Sequence, residues 1–390
     1  MLKPLSLTPS FGFGDRLGLA TPGHIAAVRA AGGKFAPIFA QQSVRENART
    51  GRTPQQVMDD AKRAVEAAQW DSPWGADADH LKTLEDINPF VEAGYTFFTV
   101  DPGEYVDNSA DTDSPEMLKR KVQTGRWEEI ASRYLDQNEE QVWGRFDSES
   151  LLRAAVKYGG AIAHTAAMFS HLSQMKDEFD FEVSVDETDS PTTPLEHYFI
   201  ASELTRLGVR FTSLAPRFLG RFEKGVDYIG DLNALDTELE KHAAVTNHFG
   251  TYKLSLHSGS DKFSVYPLIA SYWGERIHVK TAGTSYLEAL RVLAKCESDL
   301  FLKIYSLGME RYEADKKSYH VSADLALLPD TKDLPSLLND FHAREVLHVT
   351  FGSALTQFGP ELKQALVKHE TAYLEGLQAH FEKHLRLLGT

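Results

Sequence analysis

Short apolar runs recur along the first three-quarters of the chain, and each is followed by a segment with helical periodicity. The runs that predict strands are residues 16–21, 36–43, 75–80, 96–101, 179–186, 210–215, 252–257 and 276–281. Alternating strands and helices are typical of a parallel sheet, and eight such units suffice to close a (β/α)8 TIM barrel. We therefore predict an α/β protein of this class with a C-terminal helical extension.

The stretch FDFEVSVDE at residues 179–187 places apolar side chains on one face and polar side chains, including Glu182 and Asp186, on the other. Taken alone, this alternation fits a half-solvated edge strand equally well. Seven further strand candidates change the balance, because in a closed barrel the acidic face of this strand would point into the lumen.

The order of elements also predicts the domain boundaries. Residues 1–300 form the predicted barrel, with an acidic and aromatic insertion at about 104–147, and residues 301–390 form helices packed on it. The segment 345–355 fits either a strand or a buried helix. An open doubly wound sheet is disfavoured, because the glycines of FGFGDRLG precede the first predicted strand instead of following its carboxyl end.

Composition narrows the class of protein further. The chain has 390 residues, 42% of them hydrophobic, and a formal net charge of −15, which argues against nucleic acid or an anionic membrane as a partner. No apolar run is long enough to span a membrane, and the N-terminus lacks the apolar core of a signal peptide. The single cysteine cannot form an internal disulfide, which fits a reducing cytoplasm, so a cytoplasmic protein is expected. Cys296, in a helical pattern, is predicted to be a buried structural thiol.

Ionisable side chains concentrate near the carboxyl ends of the predicted strands, where TIM barrels carry their active sites. The candidates are Asp79, His80, Glu182, Asp186, His257, Lys262, His278 and Lys280. Histidines and carboxylates that converge from separate strands suit a divalent transition metal. For His80 and His257 the alternative is a hydrogen-bonded histidine, and His278 lies deeper in its strand. Asp79 and Glu182 could flank a substrate for proton transfer, or pair with Lys253 or Lys280.

Six long blocks of the sequence together resemble the tagaturonate epimerase family: FGFGDRLGLATPGH, PIFAQQSVRENARTGRTP, GADADH, FDFEVSVDETDSPTTPL, KLSLHSGSDKFSVYP and HVKTAGTSYLEA. The resemblance implies an isomerase that inverts C4 of tagaturonate or fructuronate, or of tagatose and fructose in some members. It implies a divalent cation (Zn, Mn, Co or Ni), with Asp79 as proton acceptor and Glu182 as proton donor. His80 and His257 would be metal ligands, with His278 as the third ligand and Asp186 as the next choice.

The implied chemistry suggests further contacts for a sugar or sugar-acid substrate. Gln42 and Ser43 suit sugar hydroxyls, whereas Lys262, Lys280 and the helix start at Thr284 suit a carboxylate or terminal hydroxyls. Asp186 at the mouth would hold metal or sugar. Structural roles for the lysines remain open, and a homo-oligomer is compatible with the sequence.

The position of C4 constrains the mechanism, because this carbon is not adjacent to the C2 carbonyl of a 2-ketose. One hypothesis is retro-aldol cleavage of the C3–C4 bond, with a metal acting as Lewis acid at the C2 carbonyl and re-addition to the other aldehyde face. The competing hypothesis is proton abstraction after the carbonyl has migrated. A metal-dependent aldolase and a ketose/aldose isomerase are the alternative functions.

Overall fold

Eight parallel strands close into a barrel in this computed structural model, which describes residues 1–122, 124–136 and 140–389. Each strand pairs with the next in sequence, and the last pairs with the first. The predicted (β/α)8 barrel is therefore confirmed. The strands are β1 Ser10–Phe13, β2 Ala36–Ser43, β3 Gly75–Leu81, β4 Phe97–Val100, β5 Asp180–Val185, β6 Ser213–Pro216, β7 Lys253–Leu256 and β8 Ile277–Thr281.

Helices surround the barrel and follow its last strand. They are α1 Thr21–Ala30, α2 Val44–Thr50, α3 Pro54–Ala67, α4 Leu84–Glu92, α5 Pro115–Lys121, α6 Thr124–Tyr134, α7 Ser148–Met175, α8 Pro194–Arg206, α9 Leu232–Phe249, α10 Tyr266–Trp273, α11 Thr284–Cys296, α12 Ser298–Asp315, α13 Phe341–Val349, α14 Phe351–Lys368 and α15 Glu370–Gly389.

Two stretches left open by the sequence take a defined form. The ambiguous segment 345–355 is helical, since it spans the end of α13 and the start of α14. Within the predicted insertion at 104–147, α5 and α6 are present, whereas residues 123 and 137–139 lie outside the described part of the chain.

The first strand was predicted at residues 16–21, and that prediction is wrong. The Asp15 carboxylate accepts hydrogen bonds from the backbone N–H groups of Leu17, Gly18 and Ala20, at 3.1, 2.8 and 2.8 Å. These bonds fold the segment into a loop, which an alternating sequence pattern does not reveal. The strand that completes the barrel is instead the short buried segment Ser10–Phe13.

Cys296 also differs from its prediction, because the thiol at the end of α11 is exposed. The helix buries the side chains up to Ala294, and its last turn leaves the core before the cysteine. Within the described ranges, no helix combines the length and apolar character needed to cross a membrane.

The floor of the barrel is closed by the N-terminal segment and apolar side chains. Leu5, Ile38 and Phe97 form a small buried cluster, and the Asp180 carboxylate accepts the backbone N–H of Leu5 at 2.6 Å. This end of the lumen is therefore blocked, so the other end, at the carboxyl ends of the strands, is the entrance.

The C-terminal helix α15 holds the loop that follows β7. His380 Nε2 lies 2.9 Å from Asp261 Oδ1, and His384 Nε2 accepts the backbone N–H of Asp261 at 3.0 Å. The same helix packs Phe381 against Phe13 of β1, with ring centroids 5.1 Å apart. The helices after the barrel thus support the loop that carries His257.

Candidate active site and metal centre

The carboxyl ends of four strands bring together six ionisable side chains at the mouth of the barrel. Asp79 and His80 lie near the end of β3, Glu182 lies in β5, and Lys280 lies in β8. Asp186 and His257 follow β5 and β7 directly. The floor is closed below them, so these groups meet in a space open only toward the mouth.

Lys280 is the ionic centre of this group. Its ammonium Nζ lies 2.7 Å from Asp77 Oδ2, 2.8 Å from Asp79 Oδ1 and 2.9 Å from Glu182 Oε1, and it also contacts the hydroxyl of Thr99. All three carboxylates are buried. The alternative of salt bridges inside the barrel is therefore present in the structure. It does not remove Asp79 and Glu182 from the mouth, because both also contact a histidine there.

His257 lies between two carboxylates. Its Nε2 is 2.6 Å from Glu182 Oε1, and its Nδ1 is 3.2 Å from Asp186 Oδ1. Ser213 donates to the other Glu182 oxygen, Oε2, at 2.6 Å. Glu182 thus fixes the orientation of the imidazole and leaves Nδ1 facing Asp186.

His80 reaches the same place through an unusual backbone conformation. Its φ angle is 52°, in the left-handed region that non-glycine residues seldom occupy. Side chains of consecutive strand residues normally point to opposite faces, but here Asp79 and His80 both border the mouth cleft. Backbone strain of this kind clusters at functional sites.

The imidazole of His80 repeats the arrangement of His257. Its Nδ1 is 2.8 Å from Asp79 Oδ1, whereas its Nε2 is 3.7 Å from Asp186 Oδ1, beyond hydrogen-bonding distance. This Nε2 is buried and has no hydrogen-bond partner among the described residues. Each histidine therefore has one nitrogen held by a carboxylate and one nitrogen facing Asp186.

These three residues fit a divalent cation. His80, Asp186 and His257 each offer one ligand atom, and the three atoms lie within 4.8 Å of one another. Two nitrogens and one carboxylate oxygen are a donor set used for Zn and related transition metals. Carboxylates that hold the outer nitrogens of ligating histidines are the usual support of such sites, and Asp79 and Glu182 occupy those positions.

Electrostatics keeps the two supporting carboxylates ionised. Burial alone would raise the pKa of Asp79, but the charges of His80 and Lys280 hold it well below its usual range. Burial likewise opposes ionisation of Glu182, and Lys280 and His257 together keep its pKa well below normal. Asp77 differs, because burial outweighs Lys280 and raises its pKa to about 7. Both candidate proton-transfer groups therefore start as bases.

The structure does not bring His278 to this group. It precedes Lys280 by two residues on the same face of β8 and is correspondingly deeper in the lumen. Its Nδ1 is 2.9 Å from Ser10 Oγ, and its ring packs on Phe97 with centroids 5.0 Å apart. Asp186, the second choice from the sequence, occupies the position beside His80 and His257.

The two residues of β2 expected to bind sugar hydroxyls face elsewhere. Gln42 donates to Thr50 Oγ1 at 3.2 Å and accepts from Arg52, while Ser43 Oγ caps α2 by accepting the N–H of Glu46. Gln41 borders the mouth instead. The pairing of β2 with β3 shifts between Ile38 and Ala40, and an extra residue in a strand reverses the faces of those that follow.

Lys262 and Thr284 are likewise engaged by the protein. The Lys262 ammonium donates to the backbone carbonyls of Glu223 and Ser260, at 2.7 and 3.1 Å, and to that of Val226. Thr284 Oγ1 donates to Asp261 Oδ2 at 3.0 Å. These contacts hold loops around the mouth, and neither side chain borders the cleft that contains His80.

The cleft walls contain residues that the strand pattern could not identify. The loop after β6 contributes Arg217, Phe218 and Lys224, and the segment after α12 contributes Tyr319 and His320. None of them lies on a strand, so periodicity carried no indication of them. The one available signal was their place in or near the loops of the mouth face, which is where such barrels build specificity.

Comparison with known proteins identifies relatives of the whole chain. The sequence model of a family described as tagaturonate epimerase matches residues 2–388. A tagaturonate/fructuronate epimerase of Thermotoga maritima is 45% identical over 398 residues, covering 99% of this chain and 82% of that protein. The glycerol-bound crystal structure of the fructuronate–tagaturonate epimerase of Cohnella laeviribosi superposes with a TM-score of 0.95 at 39% identity, covering 100% of this chain and 83% of that one.

A more distant similarity extends only to the fold. A probable tagatose 6-phosphate kinase from Sinorhizobium meliloti has a TM-score of 0.53 at 13% identity, over 97% of this chain and 99% of its own.

Proposed function

The chain belongs to the tagaturonate epimerase family, and on that premise we propose that it interconverts tagaturonate and fructuronate by inverting C4 with a divalent cation. It is thus a carbohydrate epimerase, an isomerase. The observation that best supports the metal-dependent proposal is the convergence of His80, Asp186 and His257, with Asp79 and Glu182 behind the two imidazoles.

His80, Asp186 and His257 would hold the cation, whose identity we leave among Zn, Mn, Co and Ni. When bound, such a cation supplies Lewis acidity toward an oxygen of the substrate. The orphaned, buried Nε2 of His80 supports this assignment, because a buried polar atom without a partner is costly. Asp186 takes the third position in place of His278, which lies one layer deeper.

Asp79 and Glu182 would manage the proton of the C4 hydroxyl. Cleavage of the C3–C4 bond requires that this proton leave as C4 becomes an aldehyde carbon, with the bonding electrons passing to the C1–C3 fragment. Re-addition to the opposite aldehyde face needs a proton returned to the new C4 oxygen. The two carboxylates lie on β3 and β5, so they can serve the two faces.

Lys280 would connect the two carboxylates. Its ammonium lies 2.8 Å from Asp79 Oδ1 and 2.9 Å from Glu182 Oε1, so a proton taken by one can be balanced by a proton given to the other. Both carboxylates start ionised, so the one that takes the C4 hydroxyl proton passes it to Lys280 while the ammonium gives a proton to the other, which returns it to the new C4 oxygen. Both carboxylates are then ionised again, and the net charge of the site is the same after each turnover. Lys280 therefore links two carboxylates that act in turn as proton acceptor and proton donor.

The competing route through carbonyl migration makes a different isotopic prediction. It exchanges carbon-bound protons, so turnover in D2O would leave deuterium at C3 or C4. Cleavage and re-addition exchange only the hydroxyl proton. Mass spectrometry of the epimerised product therefore separates the two, and carbon-bound deuterium would contradict the mechanism proposed above.

The decisive test is turnover of tagaturonate, fructuronate, tagatose and fructose in parallel with each of the four metals. We expect interconversion of the two uronates, loss of activity with a chelator and recovery on adding metal. Absence of uronate interconversion with every metal would overturn the proposal. Accumulation of free three-carbon products would instead identify an aldolase.

A further inference from the structure

We propose that Lys224 binds the C6 carboxylate of the uronate and gives the site its preference for acidic over neutral ketoses. This inference rests on the function proposed above. It concerns a residue on the loop between β6 and α9, outside the group of side chains already placed in the chemistry.

Lys224 borders both clefts at the mouth. It lines one together with Asp186 and His257, and the other together with Asp79, His80, His257 and Lys280. A substrate that contacts the proposed metal ligands is therefore within the space that Lys224 borders. Lys224 is only partly buried and lines both clefts, so a ligand in either cleft can approach it.

The other cations of the mouth are already engaged. Lys280 is held by three carboxylates, Lys82 lies 3.3 Å from Asp101 Oδ2, and Arg45 lies 3.7 Å from Glu187 Oε1. Arg221 lies 3.2 Å from Glu223 Oε1, and Arg217 donates to the backbone carbonyl of Thr188. These contacts satisfy acceptors that belong to the protein.

Lys224 differs from them because no carboxylate lies within 4.0 Å of its ammonium in the described part of the chain. Its Nζ donates a hydrogen bond to Ser258 Oγ at 2.6 Å. An ammonium has three donors, so two remain for a ligand. Ser258 follows His257 directly and has a φ angle of 48°, another left-handed residue at the mouth. A neutral hydroxyl thus holds the lysine in place without neutralising it.

An anionic substrate needs such a charge here. Asp186 and Glu187 line the same cleft, and the chain as a whole carries a formal charge of −15. A carboxylate that enters beside these two side chains is repelled by them unless an unneutralised cation lies at its destination. A neutral ketose carries a hydroxymethyl group at C6 and makes no ionic contact with Lys224. The same residue therefore separates the two substrate classes.

The test compares Lys224→Met, Lys224→Arg and Lys303→Met with the wild type in the metal-loaded enzyme. Lys303 is an exposed lysine on α12 that lines neither cleft, so its replacement removes one positive charge without changing the cleft walls. We expect Lys224→Met to raise the KM for tagaturonate by about tenfold to hundredfold, as for loss of a charged hydrogen bond. The kcat should change much less, Lys224→Arg should retain most of the affinity, and Lys303→Met should match the wild type.

A neutral competitor separates recognition of the carboxylate from a structural role. Inhibition of tagaturonate turnover by tagatose should be no weaker in Lys224→Met than in the wild type. Lys224→Gln serves as a second neutral replacement, and metal content per chain confirms that the site has formed. An unchanged KM for tagaturonate, or equal impairment by Met and Arg, would overturn the inference. Wild-type enzyme that leaves both uronates unchanged would instead defeat the proposed function.

Discussion

Glu182 Oε1 lies 2.6 Å from His257 Nε2, on the side of the imidazole that faces away from Asp186. This contact gives one carboxylate two duties, because it fixes a proposed metal ligand and also lies where a substrate proton would be transferred. Asp79 stands in the same relation to His80. The two halves of the site are therefore built alike, one from β3 and one from β5 and β7.

Replacing Glu182 by Gln should separate its two duties. The amide keeps the shape of the side chain but cannot take up a proton, so we expect kcat to fall by roughly two to four orders of magnitude, the range for a lost acid–base group. Bound metal, measured as ions per chain, should largely remain. Glu178→Gln, just before the strand and exposed, is the matched control. Near-normal turnover of Glu182→Gln would refute its role.

Two substitutions can identify the third ligand of the proposed metal site. Asp186→Asn should lower the amount of bound metal, because it removes the anionic oxygen between the two histidines. His278→Asn should leave metal content unchanged, since His278 is bonded to Ser10 deeper in the lumen. Elemental analysis of both purified variants checks this. Loss of metal in His278→Asn alone would restore the assignment first made from the sequence.

Metal affinity should rise with pH over an unusually high range. Burial alone would lower the pKa of His80, but the carboxylates of Asp79 and Asp186 raise it well above the ordinary histidine value. Burial likewise opposes protonation of His257, and Asp186 and Glu182 raise its pKa. Protons therefore compete with the cation above pH 6.5. Titration of the metal-free protein with metal at several pH values should show that the metal affinity still rises above pH 6.5. An affinity that reaches its plateau at pH 6.5 would contradict this.

The same shifts predict how the stability of the metal-free protein depends on pH. A folded-state pKa above the unfolded value means that protonation favours the folded form. The contribution from His80 and His257 is therefore complete below about pH 6.5 and lost as pH rises through their raised values. Denaturant midpoints should fall over this alkaline range without metal and much less with it. A midpoint that rises with pH in the metal-free protein would reverse the assignment.

Loss of Lys280 should destabilise the barrel strongly. Lys280→Met leaves Asp77, Asp79 and Glu182 buried together without their shared cation, a change that costs about 3–5 kcal/mol for a broken buried pair. The penalty should shrink as pH falls, because the orphaned carboxylates then take up protons. Urea unfolding at pH 7 and pH 5 measures both effects. A loss at pH 7 no larger than that of Lys303→Met would contradict this account.

The sequence predicted the barrel well because the same strand–helix pattern recurs along the chain. Seven of the eight strand candidates coincide with observed strands, since buried strands bounded by helix caps recur with little variation. The eighth failed at residues 16–21, where Asp15 folds an alternating segment into a loop. Side chain-to-backbone bonds of this kind depend on three-dimensional geometry, so periodicity alone could not exclude a strand there.

The sequence identified most residues of the candidate site, but it did not show which side chains of β2 face the mouth. Asp79, His80, Glu182 and His257 were named together, and the structure places them together. Gln42 and Ser43 were expected to contact sugar hydroxyls, whereas Gln41 borders the mouth, and the register shift after Ile38 is a feature that the sequence pattern does not reveal. Lys224 was not predicted, because it lies in a loop, where hydrophobic periodicity does not indicate which side chains face the site.

The left-handed backbone conformation at His80 creates a trade-off between stability and activity at this position. Glycine would adopt this conformation without steric cost, whereas histidine adds strain of about 1–3 kcal/mol. A replacement that relaxes the chain also removes an imidazole from the site. Selection for stability and selection for catalytic activity therefore favour different residues at position 80. A library of variants screened for thermal stability alone should lose His80, and with it the activity.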